Sequence, residues 1–372
     1  MALGVLPLAL AAYYLAVVVP FHSLGVDFRA SFWPAAQAVL HGENPYPALD
    51  ARVLADRHAF VYPPLVAVAL APFGLLPVTV ATLLAVAFAA GALTAALWVL
   101  GVRDWRCYGA SLASPAVLAS LQTAALSALL ALVIAIAWKQ RARGWVTPVL
   151  IAGAIAAKLF LWPLLIWLAL VRGLRCSILA ASATVALVAA PWVLGFPGAR
   201  QYPELLSLLT RIESRNAYTP RAWALSLGAS VHVAEAIAIL AGGAVLGAAL
   251  LIRRDERADQ RTLALTLFAA LLLSPIVWAH YLVVLLPPVA IVYRRLSAAW
   301  LVPWGLWFAG GTWTTPSTAQ ITVSLAVMAT VTALCLRRPA SADSDLPALA
   351  MPAELRLGSP RAELPQPRQA LS

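Results

Sequence analysis

Long apolar stretches separated by short basic clusters form the main pattern of this chain. Stretches close to the roughly 17–25 residues that a membrane-spanning helix needs recur from Leu3 to about residue 338. Basic residues concentrate on the cytoplasmic side of membrane proteins. If all the clusters lie on that side, the chain between two clusters either crosses the membrane and returns, or stays within it. The pattern predicts an all-α, polytopic transmembrane helical bundle with roughly 10–12 membrane segments, short hairpins included. The basic clusters are Arg103/Arg106, Lys139/Arg141/Arg143, Arg172/Arg175, Arg253/Arg254/Arg257/Arg261, Arg294/Arg295 and Arg337/Arg338.

Two intervals between basic clusters are too short for a pair of full-length spans. The interval 106–139 has room for two short helices, with a turn near 121–123. A single slanted span over 143–172 would place one basic cluster on the outer side. We therefore expect a short helical hairpin in this interval, with Lys158 near its outer tip.

Two polar stretches predict loops on the outer side, at about 21–60 and 197–221. Spans at about 178–196 and 231–252 flank the second loop and carry the chain out and back. The stretch 61–77 contains four prolines, which a straight span does not accommodate. Whether this stretch spans the membrane or lies along its surface stays open.

The other apolar segments complete one membrane-embedded domain, 1–338. No basic residue precedes Leu3–Pro20 and no small-residue cleavage site follows it, so we expect a retained first span rather than a signal peptide. A span at about 79–100 returns the chain to the cytoplasm. The last two intervals are expected to turn at 274–280 and 312–320, where proline and polar residues interrupt the apolar pattern.

Composition agrees with a chain whose main solvent is lipid. Hydrophobic residues make up 62% of the 372 residues and charged residues 11%, whereas a soluble domain is about a quarter charged. The net charge of +11 would indicate nucleic acid in a soluble protein, but here the basic clusters follow the membrane topology, so we expect no nucleic-acid partner. The tail 339–372 is rich in Pro, Ala and Ser and is predicted to be disordered and cytoplasmic.

Polar side chains from distant parts of the sequence are expected to converge at the outer turns. Among them, Asp27 closely follows the first span, and a carboxylate beside an apolar wall can serve as a general base because burial raises its pKa. An ordinary interfacial role, paired with Arg29 or capping the helix that starts near Ala30, is the competing interpretation. The converging residues are Asp27, Arg29, Glu43, Tyr46, Gln122, Lys158, Arg215, Asn216, His280 and Tyr281.

Three further positions have both a functional and a structural interpretation. Lys158 has no acidic neighbour in the sequence, so it either binds a phosphate headgroup or snorkels from a slanted helix. His280 is either a functional group or a hydrogen-bonded histidine at the interface, and Trp278 either stacks on a sugar ring or packs as an aromatic residue of the membrane interface. The sequence contains no glycine-rich phosphate loop, no His/Cys metal constellation and no nucleophile elbow, so we expect no metal or other cofactor.

A set of short motifs, in a fixed order along the chain, resembles a known family. The family is glycosyltransferase family 87, the bacterial polyprenyl-phosphate-dependent mannosyltransferases of the membrane-embedded GT-C class. One departure is Leu121, which stands where the family usually has glycine. The motifs are Asp27, Gly42-Glu43-Asn44-Pro45-Tyr46, Tyr62-Pro63-Pro64-Leu65, Ser114-Pro115, Leu121-Gln122-Thr123, Ala152-Gly153 with Lys158, Arg215-Asn216 and Ser274-Pro275-x-x-Trp278-x-His280-Tyr281.

The resemblance implies a sugar transfer, most often of mannose, from a polyprenyl-phosphate donor to a glycolipid or glycan, with inversion of configuration. It places a multi-pass enzyme in the bacterial cytoplasmic membrane, with its active site on the outer face. The implied catalytic residues are Asp27 as the base and His280. The implied substrate-binding residues are Arg29, Tyr46, Gln122, Lys158, Arg215, Asn216, Trp278 and Tyr281.

A transporter or flippase of lipid-linked sugars is the alternative function. Few charges fall in the middle of the predicted spans and no inverted repeat is evident, which disfavours transport. A flippase shares the lipid-linked substrate and stays open on the sequence alone.

Overall fold

The computed structural model describes residues 24–55, 59–252, 256–310 and 315–337. These residues form helices and turns, with no strand among them, which confirms the predicted all-α class. They all fall within one compact unit, Met1–Arg337. The predicted first span and the predicted disordered tail lie outside the described residues.

Several short 3₁₀ or π turns join the α-helices and bend the chain at the ends of apolar segments. A π turn covers Phe28–Phe32, and 3₁₀ turns cover Leu159–Leu161, Ala199–Gln201, Ala279–Leu285 and Val302–Ala309. The α-helices are α1 (Trp33–Leu40), α2 (Ala51–Ala55), α3 (Pro64–Gly74), α4 (Val78–Val99), α5 (Trp105–Leu112), α6 (Pro115–Thr123), α7 (Ser127–Lys139), α8 (Val146–Ala157), α9 (Leu164–Arg172), α10 (Leu174–Val193), α11 (Tyr202–Glu213), α12 (Pro220–Ser226), α13 (Val231–Leu250), α14 (Ala258–Leu273), α15 (Leu286–Val292), α16 (Ala298–Leu301) and α17 (Thr318–Leu336).

Among the described residues, four helices are long and apolar enough to cross a membrane: α4, α10, α13 and α17. Each has about 20 residues, which at about 1.5 Å per residue matches a hydrocarbon core of about 30 Å. The pair α6 and α7 forms a fifth candidate span, bent by 115° at its centre. Shorter apolar helices surround these spans. The described part of the chain is thus a multi-pass membrane protein.

Both short intervals of the sequence contain the breaks that their length requires. The bend between α6 and α7 begins at Ala124, which adopts a left-handed conformation with φ +50° directly after the predicted turn. In the second interval α8 ends at Ala157, and Lys158 is extended with φ −147° before the chain resumes as a 3₁₀ turn and α9. Helix α10 packs against both α8 and α9 and holds this broken segment in place.

The proline-rich stretch 61–77 forms α3, which has 11 residues. A helix of that length rises about 16 Å and does not cross a core of about 30 Å by itself. Two side chains of α1 fasten it: Gln37 Nε2 donates a hydrogen bond to the carbonyl of Gly74, and Trp33 Nε1 donates one to Leu76 at 3.1 Å. These bonds hold the segment after Asp27 against the end of α3 and the turn that leads into α4.

The stretch 197–221 differs from the polar loop expected there, because most of it is helical. Leu205, Leu209 and Glu213 follow each other at intervals of four residues, and all three lie buried on one side of α11. This is the period of an amphipathic helix, which the many polar residues of the stretch conceal. The other expected loop, 21–60, likewise contains α1 and α2.

A cluster of aromatic rings joins α11 to the segment before α3. The rings of Phe32 and Tyr62 lie 4.7 Å apart, and Tyr46 lies 5.6 Å from both Phe60 and Tyr202. Tyr46 also donates a hydrogen bond of 2.8 Å to the carbonyl of Tyr62. The cluster therefore fixes the position of Tyr62, whose side chain faces the candidate site.

Candidate active site

Two cavities adjoin each other where α8, α11 and the segment after α14 meet. The larger one has a volume of about 290 Å³, close to the lower end of the range for small-molecule sites, about 300–1,000 Å³. The smaller one has a volume of about 20 Å³, enough for one water-sized group. Val61, Tyr62, Leu209 and Trp278 line both cavities and form a common wall.

Lys158 lines the larger cavity at the break after α8. Its side chain is buried, with 5% exposure, and its Nζ lies 3.2 Å from the centre of the Tyr281 ring and 5.4 Å from that of Tyr62. Within the described residues this Nζ has no hydrogen-bond partner. A buried ammonium without hydrogen bonds is costly, and aromatic rings compensate for it in part. An anion in the larger cavity would complete its coordination.

Asp27 lines the smaller cavity, one helical turn before Ser31. The residue as a whole is half-buried, and its carboxyl group is enclosed by this confined space. Burial raises the pKa of Asp27 to about 7, although the positive charge of Lys158 partly opposes the increase. A carboxyl group with such a pKa accepts a proton near neutral pH as a general base does.

Gly25 fixes the turn that carries Asp27. Its backbone has φ +65°, and a Cβ atom at this position would collide with Thr82 of α4. The Gly25 amide donates a hydrogen bond of 2.6 Å to the carbonyl of Gln122, and its own carbonyl accepts one of 2.8 Å from the amide of Arg29. Close packing on α4 and α6 thereby sets the direction in which the Asp27 helix starts.

The segment after α14 supplies the opposite side of the site. The amide of Tyr218 donates a hydrogen bond of 2.8 Å to the carbonyl of Val277, which anchors an extended stretch that ends at Trp278. Trp278 borders both cavities, and Tyr281 stands beside Lys158 in the larger one. The ring of His280 packs 4.9 Å from that of Tyr281, yet His280 lines neither cavity and is 2% exposed.

The sequence-predicted residues thus divide into groups. Asp27, Lys158, Trp278 and Tyr281 surround the two cavities, and His280 lies behind Tyr281.

The other predicted residues line neither of these two cavities. Tyr46 supports Tyr62 from behind, and Gln122 contributes its backbone carbonyl to the Asp27 turn. Arg29 is half-buried near Asp27. Arg215 is exposed, while the side chain of Asn216 accepts a hydrogen bond of 2.6 Å from Thr315.

Two residues of the site were not singled out by the sequence. Glu213 is buried with 1% exposure and lines the smaller cavity together with Asp27. The sequence did contain a sign of this burial. Leu205, Leu209 and Glu213 follow each other at intervals of four residues, which places the carboxylate on the apolar side of a helix. Tyr62 appeared in the Tyr-Pro-Pro motif without an assigned role, and the structure places it on the common wall. Among the described residues, no group of three or more His, Cys, Asp or Glu side chains is arranged as metal ligands.

Comparison with known proteins connects this site to one family. The sequence model of glycosyltransferase family 87 matches residues 60–275, more than half of the chain. No curated protein and no solved structure matches the chain significantly. The matched residues include Tyr62, Lys158 and Glu213, whereas Asp27 precedes the match and Trp278 follows it. The protein is therefore a membrane glycosyltransferase, and the chain belongs to glycosyltransferase family 87.

Proposed function

We propose that this enzyme transfers a mannosyl residue from a polyprenyl-phosphate donor to a hydroxyl group of a glycolipid or glycan, with inversion, in the manner of the GT-C class. One observation supports the proposal above all. Asp27, a carboxyl group suited to accept a proton, lines one cavity, and Lys158, a buried cation without a hydrogen-bond partner, lines the adjoining one.

The larger cavity suits the donor. Leu206, Leu209 and Leu273 contribute apolar walls that fit the first isoprene units of a lipid tail, and Lys158 supplies a positive charge for the phosphate. When the bond between the anomeric carbon and the phosphate oxygen breaks, its electron pair stays on that oxygen and negative charge accumulates there. A fixed ammonium in a water-poor site stabilises this charge in the transition state.

The smaller cavity suits the acceptor hydroxyl. In the proposed step Asp27 takes the hydroxyl proton while the hydroxyl oxygen forms a bond with the anomeric carbon. The nucleophile approaches from the Asp27 side and the phosphate departs on the Lys158 side, so the configuration inverts. The sugar ring would lie between them, against Tyr62 and Trp278, which border both cavities.

The course of α4 supports an active site on the outer face of a bacterial cytoplasmic membrane. Near its first turn α4 contacts Gly25, and therefore lies close to the Asp27 helix. Its last turn leads into the basic pair Arg103 and Arg106. Since basic residues mark the cytoplasmic side, the Asp27 end of α4 belongs to the outer side.

A transfer assay with matched variants tests the proposal. Wild type and Asp27→Asn, reconstituted in vesicles, would receive radiolabelled polyprenyl-phosphate mannose and a cell lipid or glycan extract, with polyprenyl-phosphate glucose and arabinose as parallel donors. The control is Asp50→Asn, the same change at an exposed residue outside both cavities. We expect transfer of mannose by wild type and control, and a loss of at least about 100-fold in Asp27→Asn. Equal transfer by all three proteins would show that Asp27 is not the base. Transfer by the wild type of glucose or arabinose but not of mannose would refute mannose as the donor sugar.

A further inference from the structure

A third cavity, distinct from the candidate active site, is lined by four arginines and two other residues. It has a volume of about 440 Å³, and its walls are Gly101, Arg103, Asp104, Arg106, Arg294 and Arg295. Two basic pairs almost 200 positions apart in the sequence meet there. Four guanidinium groups and one carboxylate leave a clear excess of positive charge around one concave space.

The arginine cavity lies at the far end of α4 from Asp27. Gly25 packs on Thr82 near the first turn of α4, whereas Gly101 follows the last turn. From Thr82 to Val99 the helix rises about 26 Å, at about 1.5 Å per residue. This distance is close to the thickness of the hydrocarbon core, about 30 Å, so the two sites face opposite leaflets of a bilayer.

Asp104 joins the two basic segments. Its carboxylate accepts a hydrogen bond of 2.9 Å from the amide of Leu296 and forms an ion pair of 2.8 Å with Arg106. The hydrogen bonds from the Arg106 side chain hold the pKa of Asp104 well below its usual range, so this group stays ionised. The acid thus fixes the walls of the cavity and offsets the charge of Arg106, whereas no acid of the described residues forms an ion pair with Arg103 or Arg294.

Arg103 is also held in position, and Arg294 lies close to the backbone beside it. Arg103 donates hydrogen bonds to the carbonyls of Trp98 and Val102, at 2.7 and 3.1 Å, and lies over the Trp98 ring at 4.7 Å. Arg294 lies against Gly101, where a Cβ atom would be 3.7 Å from its Nε. Trp98 and Trp105 beside the cavity are each 60% exposed, as tryptophans at the level of lipid headgroups are.

We propose that this arginine cavity binds the phosphate group of an anionic phospholipid in the leaflet opposite Asp27. Arginine forks match phosphate oxygens in pairs, and a bound phosphate relieves the repulsion between neighbouring guanidinium groups. A basic pocket between membrane helices, at headgroup level, is the setting in which such lipids bind. Free phosphate offers the same oxygens, so both sources are compared below.

The test is a titration of the whole protein in phosphatidylcholine nanodiscs or neutral detergent, with short-chain phosphatidylglycerol or inorganic phosphate as the probe. The thermal midpoint gives the affinity, and native mass spectrometry counts the bound lipids. The pocket variant is Arg103→Gln/Arg294→Gln. The control variant is Arg143→Gln/Arg175→Gln, which removes the same charge from exposed positions outside the cavity. The single variant Arg103→Gln keeps the test usable if the pocket pair folds poorly.

We expect the pocket pair to bind phosphatidylglycerol about 30-fold more weakly than wild type, which corresponds to about 2 kcal/mol, and the single variant about fivefold more weakly. The control pair should keep wild-type affinity. Stabilisation by the lipid but not by phosphate supports a lipid headgroup, and equal stabilisation by both supports free phosphate in the same cavity. An equal loss in the pocket and control pairs, or no stabilisation of wild type by either probe, would overturn the proposal.

Discussion

Replacing Lys158 with methionine separates the function of this residue from its role in stability. Methionine has a similar length and volume but no charge, so the larger cavity keeps its shape. At an effective dielectric constant of about 20, an ammonium about 4 Å from a phosphate oxygen contributes about 4 kcal/mol. Loss of that interaction in the transition state would lower kcat by about 100- to 1,000-fold, as loss of one oxyanion donor does.

The thermal stability of the same variant should stay unchanged or increase, whereas its activity falls. In the described residues Lys158 is a buried cation without a hydrogen-bond partner, so its removal relieves a desolvation cost. The contact with the Tyr281 ring is lost at the same time, at a cost of about 0.5–2 kcal/mol. These effects oppose each other, and we expect a thermal midpoint equal to or above that of wild type.

The assay pairs the label-transfer rate with the thermal midpoint. The control is Lys139→Met, which changes the one other lysine of the chain, an exposed residue at the end of α7. It should leave both measurements unchanged. Transfer by Lys158→Met within tenfold of wild type would refute the phosphate role. A large fall in its thermal midpoint would show that the cation stabilises the fold instead.

Three other predictions concern the Asp27 side of the site. Because the pKa of Asp27 is raised to about 7 and its deprotonated form is the proposed base, kcat/KM should fall about tenfold per pH unit as the pH drops below 7, and level off above it. Glu213→Gln should raise the KM for the acceptor by about 10- to 100-fold, because it removes a hydrogen bond between the acceptor and a charged group, and should change the KM for the donor little. Gly25→Ala should destabilise the protein by about 1–3 kcal/mol and reduce transfer, since it combines a left-handed backbone with a collision against Thr82.

Each of these predictions has its own control. The pH profile should disappear from the residual activity of Asp27→Asn, and an unchanged acid limb in that variant would assign the titration to another group. Glu204→Gln, an exposed acid on the same helix, should behave as wild type. Gly42 has a similar φ, +69°, but open space where a Cβ atom would lie. If Gly42→Ala destabilised the protein as much as Gly25→Ala, the collision argument would be contradicted.

The long spans could be predicted from the sequence to within about four residues at each end, because they depend on a local property. The expected spans at 178–196 and 231–252 correspond to Leu174–Val193 and Val231–Leu250 in the structure. Apolar length alone determines such segments, since a helix satisfies its own backbone hydrogen bonds in lipid. The break at Lys158 was likewise predictable, because the basic clusters on either side limited the interval to two short helices.

The meeting of the site residues could not be predicted in the same way. Lys158 and Tyr281 are more than 100 positions apart, and their contact depends on how α8 packs against the segment after α14. The burial of Glu213 was missed for a different reason: the polar residues of the stretch 197–221 indicated a loop, so the apolar side of α11 was not recognised as a helix face. The apolar face of α11 packs against the aromatic cluster, and this packing buries Glu213 at its end.

The size of the smaller cavity has a consequence for the fate of the activated donor. A space that holds one water-sized group admits either the acceptor hydroxyl or a water molecule, but not both together. In the proposed mechanism Asp27 would activate either oxygen. The ratio of transfer to hydrolysis would therefore depend on whether the acceptor or water occupies the cavity, and not on which of the two is more reactive. In the proposed mechanism, an acceptor that fills this space would protect the donor sugar from water for as long as it stays bound, and the yield of transfer would saturate with acceptor concentration.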